Sequence, residues 1–109
     1  MKIDFNLIAE KAIPNFKGGL KEYNVKMADD GKVKIMRGRL VPGASIGMHA
    51  HVDSCEVIYV LSGKGYVASP DGDEVISAGE VSYCPQGHAH SLINKGEEDL
   101  IFLGIVPQV

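Results

Sequence analysis

At 109 residues the chain is long enough for one domain with its own core and too short for two ordinary ones. Its formal net charge of -3, from 11 Lys and Arg against 14 Asp and Glu, lacks the basic excess of a general nucleic-acid binder, and no apolar run approaches the length of a helical membrane span. Cys55 and Cys84 are too few for a disulfide framework and read as free thiols, while Asp4 and Asn6 stand where a signal peptide has its apolar stretch, so a cytoplasmic location is expected.

Residues 1–17 read as an N-terminal arm and residues 18–109 as a single domain. In the arm, Asp4 is placed to cap a short helix carrying Leu7, Ile8 and Ala12, which Pro14 ends. So short a helix does not stand alone in water and must pack on this domain or on a second subunit. Gly18-Gly19 breaks the pattern. Leu20–Ala28 then alternates weakly, Asp29-Asp30-Gly31 supplies a turn, and Lys32–Val41 returns as the second strand of a hairpin. Within that strand the apolar positions change parity, from Val33 and Ile35 to Met36 and Leu40, which a bulge or a change of partner would explain. Arg37 and Arg39 share one face, pointing either to solvent or inward as ligand-gripping groups according to where the switch falls. With Lys26, Lys32 and Lys34 they form a local basic stretch that reads as a solvated hairpin flank.

After the turn at Pro42-Gly43, a strand over Ser45–His51 places His49 and His51 on one face by its period of two. The strongly β-prone run Glu56–Leu61 follows, with Glu56 able to face the same way. Ser62–Gly65 turns the chain into a hairpin of Tyr66–Ser69 and Glu74–Ser77 around Pro70-Asp71-Gly72. Glu80–Cys84 is the next strand. Beyond Pro85-Gln86-Gly87, the strand His88–Ile93 carries His90 and Leu92 on one face. Asn94-Lys95-Gly96 and three acids make the last corner before the apolar closing strand Leu100–Val106. Turn signals at short spacing, with no helical pattern after residue 18, predict an all-β sandwich or barrel.

His49, His51, Glu56 and His90 form the one constellation that carries chemistry. Three imidazoles and a carboxylate suit one divalent transition metal (Mn, Fe, Ni, Co, Cu or Zn) and poorly suit Ca or Mg. The four come from three strands, so they meet only if the sheet curls around an interior. Four protein ligands on a metal that accepts five or six leave room for water, dioxygen or a chelating molecule. Read from the residues alone, a pair of surface histidines, a solvated glutamate and a core His90 would serve as well.

A resemblance decides between these. Gly43-x5-His49-x-His51-x4-Glu56-x6-Gly63 resembles the first motif of the cupin family at every fixed position, and Gly79-x5-Pro85-x-Gly87-x2-His90-x3-Asn94 resembles the second. The resemblance implies a small single-domain cupin, a double-stranded β-helix or jelly-roll barrel, with metal ligands at His49, His51, Glu56 and His90. The remaining fixed residues then serve turns. Auxiliary candidates are Arg37, Arg39 and His88, the last either close to the metal as a proton shuttle or simply exposed at a strand end. Tyr59, Tyr66 and Tyr83 read as packing residues, and Ile58, Val60 and Leu92 are expected to line the pocket. The expectation is a metalloenzyme of dioxygenase, decarboxylase or isomerase type acting on a small organic molecule, the alternative a non-catalytic metal-dependent binding or sensing module. A homodimer is expected because an open jelly roll leaves edge strands to cover.

Overall fold

The computed structural model describes residues 1–109. Ten strands carry the fold: β1 Lys11–Pro14, β2 Glu22–Asp29, β3 Val33–Leu40, β4 Ser45–Ala50, β5 Glu56–Ser62, β6 Lys64–Ala68, β7 Glu74–Ser77, β8 Val81–Cys84, β9 Ala89–Ile93 and β10 Leu100–Pro107. They form two antiparallel sheets, one of six strands in the order β1-β2-β3-β10-β5-β8 and one of four in the order β4-β9-β6-β7. Neighbours so distant in sequence, such as β3 with β10 and β4 with β9, are the crossovers of a jelly roll, as the motif resemblance implies. Between the sheets, Leu40, Ile58, Val60, Leu92, Leu100 and Phe102 are essentially inaccessible to water. Each large side chain so buried contributes about 1.5–3 kcal/mol over its exposed state. Aromatic rings extend this core toward the N-terminal strands: Tyr23 stacks on Phe102 with centroids 6.0 Å apart and meets Phe16 at 5.3 Å. Gly38 makes the stack possible, because a Cβ there would collide with the rings of both Phe102 and Tyr23.

Three local expectations are corrected. Asp4 does cap a turn, its carboxylate accepting from the Asn6 amide, but the element is the short 3-10 turn Phe5–Leu7, and a second 3-10 turn comes only at Phe16–Gly18. Ala12 instead lies in β1, which pairs with β2 from Lys11↔Val25 to Pro14↔Glu22. Pro14 is tolerated because β1 is an edge strand. In β3 there is neither a bulge nor a change of partner: its register with β2 and β10 is continuous. Met36, Gly38 and Leu40 face the interior throughout, and Val33 and Ile35 belong to the outer face of the sheet. The two register shifts lie elsewhere, between Ile46 and His49 of β4 and between Ile101 and Phe102 of β10.

Candidate metal centre

The shift in β4 is what aims the histidines. Ile46 pairs with Leu92 and His49 with His90, so three steps along β4 match two along β9. The extra residue turns the strand, and Ile46 and His49, of opposite parity, both face inward while Met48 points to solvent. His51 follows His49 on the same face and is held at the end of β4 by backbone hydrogen bonds to His88 and Gly87. Glu56, first residue of β5, enters from the opposite sheet with Ile58 and Val60 on its face. His90 projects from the centre of the four-stranded sheet. Thus the four side chains are set by two sheets and a bulge, not by a flexible loop.

All four ligand atoms lie within 4.8 Å of one another, and His51, Glu56 and His90 are buried. Glu56 Oε1 stands 2.9 Å from His90 Nε2, 3.2 Å from His51 Nε2 and 3.9 Å from His49 Nε2. Two imidazole nitrogens, His51 Nε2 and His90 Nε2, are only 3.0 Å apart, a distance that calls for a shared proton or a cation between their lone pairs. Ligands on bonds of about 2.1 Å stand about 3.0 Å apart at right angles and about 3.4 Å apart at the tetrahedral angle, close to the separations among Glu56, His51 and His90. The outer nitrogen of His49 fixes its tautomer, Nδ1–H donating to the Gly47 carbonyl at 2.7 Å, while His51 Nδ1 lies 2.9 Å from Ser54 Oγ, a hydroxyl that donates or accepts. With its proton on Nδ1, His49 presents the Nε2 lone pair to the cluster. Burial alone would push the Glu56 carboxyl up, but its interactions with His49, His51 and His90 outweigh that and hold it well below the ordinary carboxylate range. The donor set is therefore an ionised carboxylate with three nitrogen ligands.

Beside the cluster lies a cavity of about 280 Å³, walled on its apolar side by Val25, Met36, Ile46 and Val106. Tyr23, Lys17 and Lys34 add the polar groups. Burial, then the Glu56 charge, drives the Tyr23 phenol far up, so it stays protonated, and its hydroxyl donates to the Met36 sulfur at 3.5 Å. Of these wall residues only Ile46 lies within a motif segment. Lys17 sits in a strained stretch, with Asn15, Lys17 and Lys21 all at positive φ (51°, 55° and 56°). Ties to β4 hold it: Leu20 N donates to Ser45 Oγ at 2.9 Å, and Ser45 N to the Leu20 carbonyl at 3.0 Å. A Cβ on Gly47 would collide with the Lys17 carbonyl, so the glycine that accepts from His49 also lets this stretch approach.

The auxiliary candidates lie apart. Arg37 and Arg39 occupy the outer face of β3, opposite to Met36 and Leu40, and Arg39 pairs with Glu10 at 2.7 Å and Asp99 at 3.5 Å. His88 is half exposed and bonds Asp71 through Nδ1 at 2.6 Å; both line a second, smaller cavity of about 220 Å³ that reaches His90 from the far side. Ile58, Val60 and Leu92 do not line the cavity beside the cluster: they are sealed into the core between the sheets. Tyr59 and Tyr83 are exposed on the six-stranded sheet, and Tyr66 donates to Asp73 at 2.7 Å beneath the Lys95 ammonium. Both cysteines are free, and burial raises the Cys84 thiol.

Residues 36–106 match the family model described as Cupin domain. An oxalate-binding protein of Thermotoga maritima is 34% identical over 105 residues, covering 91% of this chain and 87% of its own. A crystal structure from the same organism, described as a predicted oxalate decarboxylase, superposes over 100% of both chains with a TM-score of 0.92 and 30% identity. A glucose-6-phosphate isomerase of Pyrococcus furiosus is 41% identical over 64 residues, but those cover 54% of this chain and only 34% of the isomerase.

Proposed function

The chain belongs to the cupin family, and on that premise we propose that it is a metal-dependent protein that binds a small chelating dicarboxylate of the oxalate class in the cavity beside His49, His51, Glu56 and His90. A divalent transition metal held by those four side chains would supply Lewis acidity and open positions for oxygen donors. The composition of the cavity wall carries the reading. Apart from the cluster itself, its ionisable groups are Lys17, Lys34 and Tyr23. Together with the metal, the two ammonium groups offset the charge of Glu56 and both charges of a dicarboxylate. Val25, Met36, Ile46 and Val106 exclude water and strengthen those attractions. The volume suits a molecule of a few heavy atoms. The wall holds no further carboxylate or histidine to move a proton, and Tyr23 is committed to Met36, so binding is favoured over turnover.

A second reading, decarboxylation of the same ligand, draws support from the full-length likeness to the structure described as a predicted oxalate decarboxylase. An isomerase of sugar phosphates would need a cationic phosphate site, and the two arginines point away from the cavity. A dioxygenase would require a redox-active metal in the same four ligands.

Titration calorimetry on metal-loaded and metal-free protein, with oxalate and acetate, tests the proposal. Oxalate is expected to bind one to one only when metal is present, acetate far more weakly, and Lys17→Gln to lose about tenfold in oxalate affinity, about 1.4 kcal/mol, with its metal content intact. No oxalate binding, or equal binding without metal, would overturn it. Formate release from oxalate would establish the second reading instead.

A further inference from the structure

His49 and His51 are held from behind by partners of different kinds. The Gly47 carbonyl, 2.7 Å from His49 Nδ1, can only accept, whereas the Ser54 hydroxyl, 2.9 Å from His51 Nδ1, can accept or donate. A neutral imidazole carries one ring proton, so whatever occupies His51 Nε2 decides which way the bond to Ser54 runs. With the proton on Nε2, Nδ1 is an acceptor and the Ser54 hydroxyl donates to it. With a metal on Nε2, the ring proton stands on Nδ1 and donates to Ser54 Oγ, which leaves the hydroxyl proton free for another acceptor. Ser54 is buried, and it also lines the cavity beside the cluster, where that acceptor would have to lie.

The hydroxyl is set in place by the connection between His51 and Glu56, which is tied at every residue. The Val52 carbonyl accepts from Gln86 Nε2 at 3.1 Å, and the Asp53 carbonyl from the Val109 amide at 3.0 Å. Ser54 itself forms an antiparallel bridge with Gln108, and the Cys55 amide donates to the Pro107 carbonyl at 3.3 Å. The Gln108 amide in turn donates to the Lys32 carbonyl at 2.7 Å, which fastens this connection to the turn between β2 and β3. A serine on so restrained a backbone keeps one position relative to His51 and the cavity, as a group that orients a metal ligand must. We propose that Ser54 is both a positioning residue and a ligand-binding one, a role that rests on the metal and dicarboxylate reading of this cavity. It holds His51 in the tautomer that offers Nε2 to the metal, and with the metal bound it donates its freed proton to an oxygen of the dicarboxylate. Metal loading thereby turns Ser54 from a donor to His51 into a donor to the ligand, so the ligand follows the metal.

Chelator competition for metal affinity and calorimetry with oxalate on metal-loaded protein test this in four forms of the chain. Ser54→Ala is expected to keep the wild-type circular dichroism and to lose about tenfold in each affinity. Threonine and valine share one shape, so Ser54→Thr should keep both affinities near those of the wild type and Ser54→Val should lose both, whatever the added methyl costs the fold. In the zinc-loaded wild type, long-range proton–nitrogen correlation should find the His51 proton on Nδ1. A proton on Nε2 there, a Ser54→Thr variant no better than Ser54→Val, or a loss confined to metal or to oxalate would overturn the proposal. A wild type that takes up metal but no oxalate would overturn the dicarboxylate reading and the donation with it. A wild type that binds both, with Ser54→Ala its equal, would overturn the role of Ser54 alone.

Discussion

A methyl group at Gly104 would stand 3.1 Å from Glu56 Oε2 and 3.3 Å from the Met36 methyl carbon, so the carboxylate owes its place to a missing side chain on the neighbouring strand. Gly104→Ala should therefore weaken metal binding, by about tenfold for a displacement worth roughly 1.4 kcal/mol, while the protein stays folded. Competition with a chromogenic chelator measures this, and unchanged affinity would mean that Glu56 tolerates the crowding. The four residues of the cluster were legible through the resemblance to two motifs whose fixed glycines mark turns: Gly43, Gly63, Gly79 and Gly87 all take φ between 84° and 87°, where side chains are disfavoured. Asn94 was equally legible as a turn residue. It is buried, and its amide group donates to the carbonyls of Leu40 and Glu98, both at 2.8 Å. Lys17, Tyr23 and Met36 were not legible as cavity residues. They come from outside both motifs, and only long-range strand order brings them to the cluster.

At the scale of elements, the N-terminal segment shows where local pattern fails. Leu7, Ile8 and Ala12 have helical spacing, yet an edge position beside β2 offers the backbone a ladder of hydrogen bonds, and tertiary pairing overrides the weak local preference. Glu10, just ahead of β1, ties this segment to the barrel through Arg39. The hydrogen bond from Arg39 lowers the Glu10 carboxyl below its ordinary value, opposed by slight desolvation and helped by nearby positive charge. A lowered folded-state pKa stabilises above the unfolded value near 4.3, and the effect is lost as pH falls through the folded value. Glu10→Gln should thus cost about 0.2–1 kcal/mol in urea denaturation at pH 7, and the difference from wild type should shrink as pH falls through the lowered folded-state value and vanish below it. A difference that persisted in acid would locate the contribution in packing. The parity of β3 was misread for a related reason: Val33 and Ile35 are apolar because they belong to the outer face, which sequence alone does not distinguish from the core.

For the whole molecule, both sheets and the bulge in β4 converge on the one cluster, so a metal held there would couple its binding to folding. At a metal concentration a hundredfold above Kd, binding adds about 2.7 kcal/mol, which for a domain of this size raises Tm by roughly 10–20 °C. An all-β sandwich or barrel was readable from turn spacing and the jelly roll from the motif resemblance, but the pairing of β10 between β3 and β5 was in neither, since nothing local records which distant strand a strand will join. That pairing sets Gly104 against Glu56 and Leu103 at the centre of the outer face.

The central claim is that His49, His51, Glu56 and His90 hold one transition metal, and elemental analysis of the protein purified without chelator tests it most directly. Close to one equivalent is expected in the wild type and a large loss in both His90→Ala and Glu56→Gln, each checked for retained β structure. A wild-type chain that takes up no stoichiometric transition metal when one is supplied, or a His90→Ala variant that keeps its full complement, would contradict it.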